Sequence, residues 1–316
     1  MGHDKLRKFA ENETFSCLIQ PDASAVLDKS GDPSLGLRLH DHPVKGRWNT
    51  AVFAEAQPIV LELGCGKGEY TIDLSKRVPG RNYIGVDIKG ARLWRGAKTA
   101  TEEGLENVAF LRTRIEFIEA FFAPGEVSEI WLTFSDPQLK SENSRLTSPL
   151  FLERYRKFLK PGGIIHLKTD SRFLHEYSKA VATENGLNII DSTIDLYGGR
   201  CPSCDVRSAD PTTGFAGGPP SYVAEGGHGL RETSATVDKT IVAREMTSPD
   251  GRASALYEVQ TFYERMFLSQ GYKITYLAFT IDHEGSYKHP SGFDSDYWRS
   301  IEGPRRFSHS PVSSQR

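Results

Sequence analysis

The sequence predicts a doubly wound α/β fold, in which helices cover both faces of a mostly parallel sheet. The apolar segments 59–63, 83–86 and 108–111 have the length and composition of buried strands. Helical patterns separate them, and Pro-Gly pairs such as Pro79-Gly80 and Pro124-Gly125 end those patterns. Three glycines at alternate positions follow the first strand, which is where this fold holds nucleotide-like ligands.

The predicted elements alternate along the middle of the chain. Predicted strands cover 59–63, 83–87, 108–111, 129–134, 164–167, 187–190 (with a possible extension to 196) and 273–281. Predicted helices cover 69–76, 90–103, 115–122, 149–159, 171–184 and 256–268. These elements predict a seven-stranded sheet.

Three segments lie outside this alternation. Residues 1–57 are interrupted by prolines, and we expect an N-terminal extension that lies on the core with only short structure of its own. Residues 198–256 are rich in Gly, Ser, Thr and Pro, which predicts a disordered insertion. The tail 282–316 is polar and predicted to be mobile. The core is then formed by residues 58–197 and 257–281.

Composition limits the possible functions. The net charge of -2 gives no sign of a nucleic-acid partner, so RNA binding would need a local basic patch. No apolar run could span a membrane and the start lacks a secretory pattern, so a cytoplasmic protein is expected. Cys201 and Cys204 have the spacing of half a zinc site, but no second pair exists, and we expect reduced thiols and no metal.

The turn after the first strand favours a cationic ligand. Its glycines are Gly64, Gly66 and Gly68. The dinucleotide fingerprint needs its third glycine one residue later, where this chain has Glu69. Glu62 at the mouth of the turn would repel a pyrophosphate and attract a cation. Asp87, about twenty residues beyond the first glycine, suits ribose hydroxyls. Together they favour S-adenosylmethionine over NAD, although a turn without a ligand and a helix-capping Asp87 stay open.

The fourth predicted strand should deliver the reacting group, because substrates of this fold lie outside the carboxyl end of the sheet. It ends in Phe134-Ser135-Asp136-Pro137. Enzymes that methylate exocyclic amines usually have an acid or amide, two prolines and an aromatic residue here. This chain has one proline and no aromatic residue directly after it, which favours another acceptor; an ordinary turn is the alternative.

The chain resembles the bacterial tRNA (guanine-N7-)-methyltransferases of the TrmB type. The matching segments appear in the family's order and are residues 61–68, 83–87, 134–140, 145–147, 167–170 and 261–264. The resemblance implies a Rossmann-like class I methyltransferase fold. It also implies methyl transfer from S-adenosylmethionine to N7 of the variable-loop guanine of tRNA, guanine 46, without a metal.

The resemblance further implies roles for individual residues. Asp136 would be catalytic. Cofactor-binding positions would be Glu62, Gly64, Gly66, Gly68, Asp87, Arg114 and Asp136. Substrate-binding positions would be Lys140, Asp170, Thr261, Phe262, Tyr263 and Glu264. The chain differs from the family at Gln138, where Trp is frequent, and at Arg114, where an acid is frequent, so the backbone or Glu116 would supply that contact. The family's basic run is shortened at 141–144.

The chemistry agrees with this assignment. Guanine N7 has a free lone pair and no proton, so methyl transfer is a direct displacement that needs no general base. The Asp136 carboxylate would stabilise the positive charge that builds on the base. Alignment of N7, methyl and sulfur would supply most of the rate.

Binding of tRNA would need clustered Lys and Arg. Three candidate groups are Lys5, Arg7 and Lys8; Arg92, Arg95 and Lys98; and Arg145, Arg154, Arg156 and Lys157. We favour the first and third groups because they would border the reactive edge. Rival functions are a methyltransferase acting on another RNA base, an exocyclic amine or a small molecule; an NAD-dependent oxidoreductase; and a non-catalytic RNA-binding module. Monomer and homodimer are both open.

Overall fold

The computed structural model describes residues 2–28, 38–198 and 252–302, and within these ranges one eight-stranded sheet forms the centre. Predictions for Cys201, Cys204, most of the insertion and residues 303–316 of the tail lie outside the described residues. In the described ranges, no helix combines the length and the apolar character that crossing a membrane requires.

The strands run mostly parallel. They are β1 (Leu18–Ile19), β2 (Ile59–Leu63), β3 (Asn82–Asp87), β4 (Val108–Arg112), β5 (Val127–Thr133), β6 (Leu159–Thr169), β7 (Ile189–Thr193) and β8 (Thr275–Thr280). Their order is β1-β4-β3-β2-β5-β6-β8-β7; β8 pairs antiparallel with β6 and β7, and the other pairs in the described ranges are parallel. The predicted count of seven strands was wrong by one, because the two-residue β1 is too short to show periodicity and is held by pairing of Leu18 with Phe110.

The helices flank this sheet. They are α1 (Gly2–Asn12), α2 (Trp48–Ala51), α3 (Glu69–Arg77), α4 (Gly90–Glu102), α5 (Pro149–Tyr155), α6 (Arg172–Glu184), α7 (Arg252–Glu258), α8 (Phe262–Ser269) and α9 (Ser295–Glu302). The helix predicted over 115–122 is a 3₁₀ helix at Ile115–Ala120. The single helix predicted over 256–268 is in fact α7 and α8, because Thr261 caps a new helix. Pro161-Gly162-Gly163, expected to follow a helix, lies inside β6.

Strand β2 shows how the two apolar layers form. All five of its residues are buried. Ile59, Leu61 and Leu63 belong to one apolar cluster, whereas Val60 belongs to another, because side chains alternate across a strand. Burial on both faces explains why the strand is continuously apolar in sequence.

The N-terminal extension packs against this core. Helix α1 lies on α4, where the Asn12 side chain donates to the carbonyl of Gly90 (3.0 Å) and Trp94 donates to Glu11 (2.8 Å). With eleven residues, α1 is longer than the short structure expected there. Farther along, the buried Trp48 donates to the carbonyl of Phe121 at 2.8 Å.

The expectation of a mobile tail from residue 282 onward was wrong for residues 282–302. Tyr287 is buried, and its backbone N–H donates to Glu153 at 2.9 Å. Asn185 and Lys288 exchange side-chain to backbone hydrogen bonds of 2.9 and 2.7 Å. Helix α9 packs on α6. The segment is polar in sequence because hydrogen bonds hold it more than apolar burial does.

Candidate active site

A cavity of about 590 Å³ opens at the carboxyl ends of the central strands. Predicted site residues that line it are Glu62, Gly64, Gly66, Asp87, Asp136, Asp170, Thr261, Phe262 and Tyr263. Predicted site residues outside its lining are Gly68, Arg114, Lys140 and Glu264. The fold therefore brings together residues that lie far apart in the chain, such as Glu62 and Tyr263.

The glycine turn faces the cavity with its first two glycines. Gly64, Gly66 and Gly68 have φ angles of 81, 59 and 73°, a region that side chains disfavour. A Cβ atom on Gly64 or Gly66 would meet no atom within 4 Å, so their backbone is open to a ligand. A Cβ atom on Gly68 would lie 2.5 Å from the Phe110 ring. The third glycine thus serves close packing between helix and sheet.

Glu62 is a buried carboxyl beside this turn. It accepts hydrogen bonds from the Thr71 N–H (2.9 Å), the Thr71 hydroxyl and the Thr133 hydroxyl. Burial raises the pKa of Glu62 to about 7, although these three bonds oppose the shift. Near neutral pH the carboxyl is poised between its two forms, so a cation placed beside it would favour ionisation.

Asp87 lies at the edge of the cavity and links the glycine turn to the residues that precede α4. Its Oδ2 accepts from the Gly66 N–H at 3.1 Å and its Oδ1 accepts from the Lys89 N–H at 2.7 Å. The bond to Lys89 is a local turn ahead of α4, whose N-cap is Lys89 without a side-chain cap, so the capping role considered for Asp87 was wrong. Each carboxylate oxygen can accept a further hydrogen bond, so a ligand hydroxyl can still bind.

The loop after β5, residues 134–140, is named here the acceptor loop. Among described residues other than glycine, Phe134 and Gln138 have positive φ angles, 51 and 47°. Such conformations are costly for residues with a Cβ and concentrate at functional sites. Asp136 lies between them, exposed, and its Oδ1 accepts from the Gln138 N–H at 2.9 Å.

Arg145 supports this loop from inside the protein. Its Nε donates to the carbonyl of Gln138 (3.3 Å), and its guanidinium lies 4.6 Å from the Phe173 ring centroid and 4.2 Å from that of Tyr177. Burial lowers the pKa of Arg145. Arg145 was predicted to belong to a basic group that binds tRNA, but only 2% of its side chain is exposed, so it is not available to phosphates.

Helix α8 begins at the opposite wall of the cavity. The Thr261 hydroxyl accepts from the Glu264 N–H at 3.1 Å and caps the helix. The Phe262 N–H donates to Glu69 of α3 at 2.6 Å, which fixes the start of α8 beside the glycine turn. Phe262 is 47% exposed, and its ring centroid lies 5.4 Å from the Lys67 ammonium.

Glu264 is buried behind this wall, away from the cavity lining. Its carboxylate pairs with the Lys168 ammonium at 2.8 Å and accepts from the Tyr197 hydroxyl at 2.6 Å. Lys168 also donates to the carbonyls of Leu256 (2.8 Å) and Val259 (3.0 Å), and burial lowers its pKa. The structure therefore gives Glu264 a role in fixing α7 and α8 to the sheet.

Two other predicted residues also stay outside the cavity lining. Arg114 is exposed and pairs with Glu116 at 3.2 Å. Lys140 is exposed at the end of the acceptor loop.

Basic side chains on the cavity wall are Lys67, Lys89 and Arg92. The favoured basic groups are largely paired: Arg7 and Lys8 with Asp4, and Lys157 with Glu119. In the part of the chain that the structure describes, no carboxylate forms an ion pair with the three cavity residues. They are thus available to an anionic substrate.

Comparison with known proteins identifies the family. Residues 56–199 match a family model described as "Putative methyltransferase". A tRNA (guanine-N(7)-)-methyltransferase of Bacteroides fragilis is 39% identical over 307 residues, which is 97% of each chain. One from Christiangramia forsetii is 41% identical over 280 residues, covering 88% of this chain and 98% of that protein. The chain belongs to the tRNA (guanine-N(7)-)-methyltransferase family.

The fold is that of the class I methyltransferases, as the resemblance implied, with the strand order reported above. Among solved structures, the 16S rRNA methyltransferase KamB aligns with 78% of this chain and 96% of its own at 14% identity and a TM-score of 0.42, a similarity too low for any conclusion.

Sequence reasoning missed Lys67 as a residue of this site, and it missed the structural setting of three residues that it did name. Lys67, between two glycines of the turn, faces the cavity and could have been found by its position alone. Thr261 and Glu264 have the spacing of a capping box, which would have revealed the start of α8. Nothing in the local sequence around Arg145 indicates that it is buried between two rings.

Proposed function

We propose that this chain transfers the methyl group of S-adenosylmethionine to N7 of the variable-loop guanine of tRNA, guanine 46. The shared name of its relatives supports the reaction and the substrate class. The observation that carries the proposal is the convergence of the glycine turn, Asp136 and Phe262 on one cavity. On the basis of the tRNA substrate, we also propose a cytoplasmic location.

The donor would occupy the side of the cavity formed by β2 and β3. Asp87 would accept hydrogen bonds from the ribose hydroxyls, and the open backbone at Gly64 and Gly66 would lie against the ligand. Glu62 would complement its positive charge. When bound, S-adenosylmethionine supplies a methyl group activated by a sulfonium, so the proposal requires no metal.

The acceptor guanine would lie beside the acceptor loop. The N7 lone pair forms the new bond to the methyl carbon as the bond from carbon to sulfur breaks, and the base gains one positive charge. Asp136 would stabilise that charge and accept hydrogen bonds from the N–H groups of the guanine edge. Because its carboxylate is held at Oδ1 by the backbone of Gln138, its position is fixed before the substrate binds.

Phe262 would hold the base by stacking. Its ring is half exposed at the cavity wall, and its backbone is fixed by Glu69. Aromatic side chains bind unpaired bases through their faces, as an unstacked guanine requires. Thr261, Tyr263 and Asp170 line the same wall. We assign Glu264 to support of this wall, and leave Arg114 and Lys140 outside the proposed contacts.

Phosphates of the tRNA would meet the basic cavity residues Lys67, Lys89 and Arg92. These contacts would make the affinity fall as salt concentration rises, because bound phosphates release counterions. A protein with a net charge of -2 can bind RNA in this way, because the attraction depends on the charge of the contacting surface and not on the net charge of the protein.

Methyl transfer to two matched tRNA transcripts tests the proposal. One transcript carries guanine in the variable loop and the other carries 7-deazaguanine, which lacks the N7 lone pair. We expect label from S-adenosylmethionine in the first transcript alone. Equal labelling of both would exclude N7 as the acceptor. A thermal-shift comparison should show stabilisation by S-adenosylhomocysteine and none by NAD, which separates a methyltransferase from an oxidoreductase.

A further inference from the structure

The segment 287–302 reaches the acceptor loop from the far end of the chain. From α9, Arg299 Nη2 donates to the carbonyl of Leu139 at 2.9 Å. Its Nη1 pairs with Asp296 of the same helix at 2.7 Å, which orients the guanidinium. A second contact joins His289 Nδ1 to Glu142 Oε1 at 3.1 Å, just after the loop.

This segment is itself fixed to the core. Glu302 accepts from the Phe173 N–H in the first turn of α6 at 3.0 Å. The Phe293 ring packs edge-on against Phe173 and Tyr177, with centroids 5.5 and 5.4 Å away. Those two rings also enclose the Arg145 guanidinium. The segment therefore touches the acceptor loop directly through Arg299 and supports it indirectly through Arg145.

The two arginines hold neighbouring carbonyls of the loop. Arg145 binds the carbonyl of Gln138, and Arg299 binds that of Leu139. Gln138 has a positive φ angle, and its N–H is the donor to Asp136. A backbone conformation of this kind persists only where surrounding contacts over-determine it. Hydrogen bonds from charged donors are the stronger class and suit that task.

We propose that the segment 287–302 is a brace for the acceptor loop, with Arg299 as a positioning residue that keeps Asp136 directed at the substrate. The inference rests on the role proposed for Asp136. It assigns a function to a part of the chain that lies beyond the matched methyltransferase model.

Three variants of the full chain test the brace. Arg299→Ala removes the donor to Leu139, Arg299→Lys retains a donor, and Ser300→Ala is the matched control because its hydroxyl bonds to Tyr297 within α9. We expect Arg299→Ala to lower kcat roughly tenfold, with the dissociation constant for S-adenosylhomocysteine within twofold of wild type. Arg299→Lys should recover most of the loss, and Ser300→Ala should behave as wild type.

Hydrogen exchange of the 134–144 amides supplies a readout independent of activity. Arg299→Ala should speed exchange there, while the amides of α3 keep their rates. Unchanged kcat and unchanged exchange in Arg299→Ala would overturn the brace, as would equal losses in Ser300→Ala. A wild-type protein that does not methylate tRNA would refute the proposed function. The hydrogen-exchange comparison would still show whether Arg299 holds the acceptor loop.

Discussion

In the half of the cavity formed by β2 and β3, the carboxylates of Glu62 and Asp87 are buried and bonded to the glycine turn and its neighbours. In the half formed by the acceptor loop, Asp136 is exposed, and residues from remote parts of the chain hold the surrounding backbone. The first half, the donor half, is thus built largely from local sequence. The second, the acceptor half, depends on the complete tertiary structure.

Because of this difference, a substitution can reduce turnover without reducing donor binding, or reduce both. A change far from the cavity can displace the acceptor half, because Arg299 lies 160 positions from Leu139, whose carbonyl it binds. The donor half should keep its ligand in such variants. Measuring donor affinity and turnover separately therefore tells which half a substitution has affected.

The largest expected effect comes from breaking the buried ion pair of the acceptor half. Lys168→Met leaves the Glu264 carboxylate buried and unpaired, and we expect a loss of about 3–5 kcal/mol in the free energy of unfolding. Urea denaturation measures it. The double variant Lys168→Met/Glu264→Leu should recover part of the loss. A double variant no more stable than the single one would contradict the assignment.

Removing the charge of Asp136 should come next. Asp136→Asn keeps an acceptor for the Gln138 N–H, so the loop keeps its shape while the charge is lost. We expect kcat to fall by about 10²–10³-fold and the affinity for S-adenosylhomocysteine to stay within twofold. The control Glu106→Gln removes an exposed carboxylate that is not part of the cavity lining. A comparable loss of donor affinity would show that Asp136 belongs to the donor half.

Removing the proposed stacking surface should have a smaller effect. Phe262→Ala should lower kcat/KM for tRNA by about 10- to 100-fold, since stacking on an aromatic ring contributes about 1–3 kcal/mol per base. Phe262→Trp keeps a ring and should retain most of the activity. The measurement is the KM for tRNA at saturating donor. Loss of donor affinity in Phe262→Ala, with the KM for tRNA unchanged, would place the ring against the donor instead.

The smallest effect concerns the donor half alone. The pKa of Glu62 is about 7 in the free protein, and a bound ammonium would lower it, so binding below pH 7 would release a proton. The affinity for S-adenosylhomocysteine should then rise with pH by at most tenfold per unit and level off above about pH 7. Titration calorimetry in buffers of different ionisation enthalpy measures the released proton.

The variant Glu62→Gln should lose this pH dependence. The free wild-type protein should also lose stability as pH rises from 4.5 to about 7, because the folded state binds this proton more tightly than the unfolded chain. An identical pH profile in Glu62→Gln would assign the titration to another group.

The same division explains how much could be predicted from sequence. Strand β2 was predicted at its observed bounds, because continuous apolar residues identify a strand buried on both faces. The turn after it and Asp87 also lie where the pattern placed them. By contrast, the aromatic spacing over 256–268 hid the break at Thr261, although the capping signal was present. The bond from Arg299 to Leu139 spans 160 positions, and no local pattern predicts it.

The buried ion pair of Lys168 and Glu264 bonds to both Tyr197 and Leu256, which has a consequence for the number of residues between these two positions. Tyr197 and Leu256 are joined through the same ionic cluster, so these two positions of the chain are held close to one another. Closing a chain between fixed ends costs about 0.6 kcal/mol more for each doubling of its length. A change in the number of residues between these anchors should therefore cost little stability while the ionic cluster stays intact.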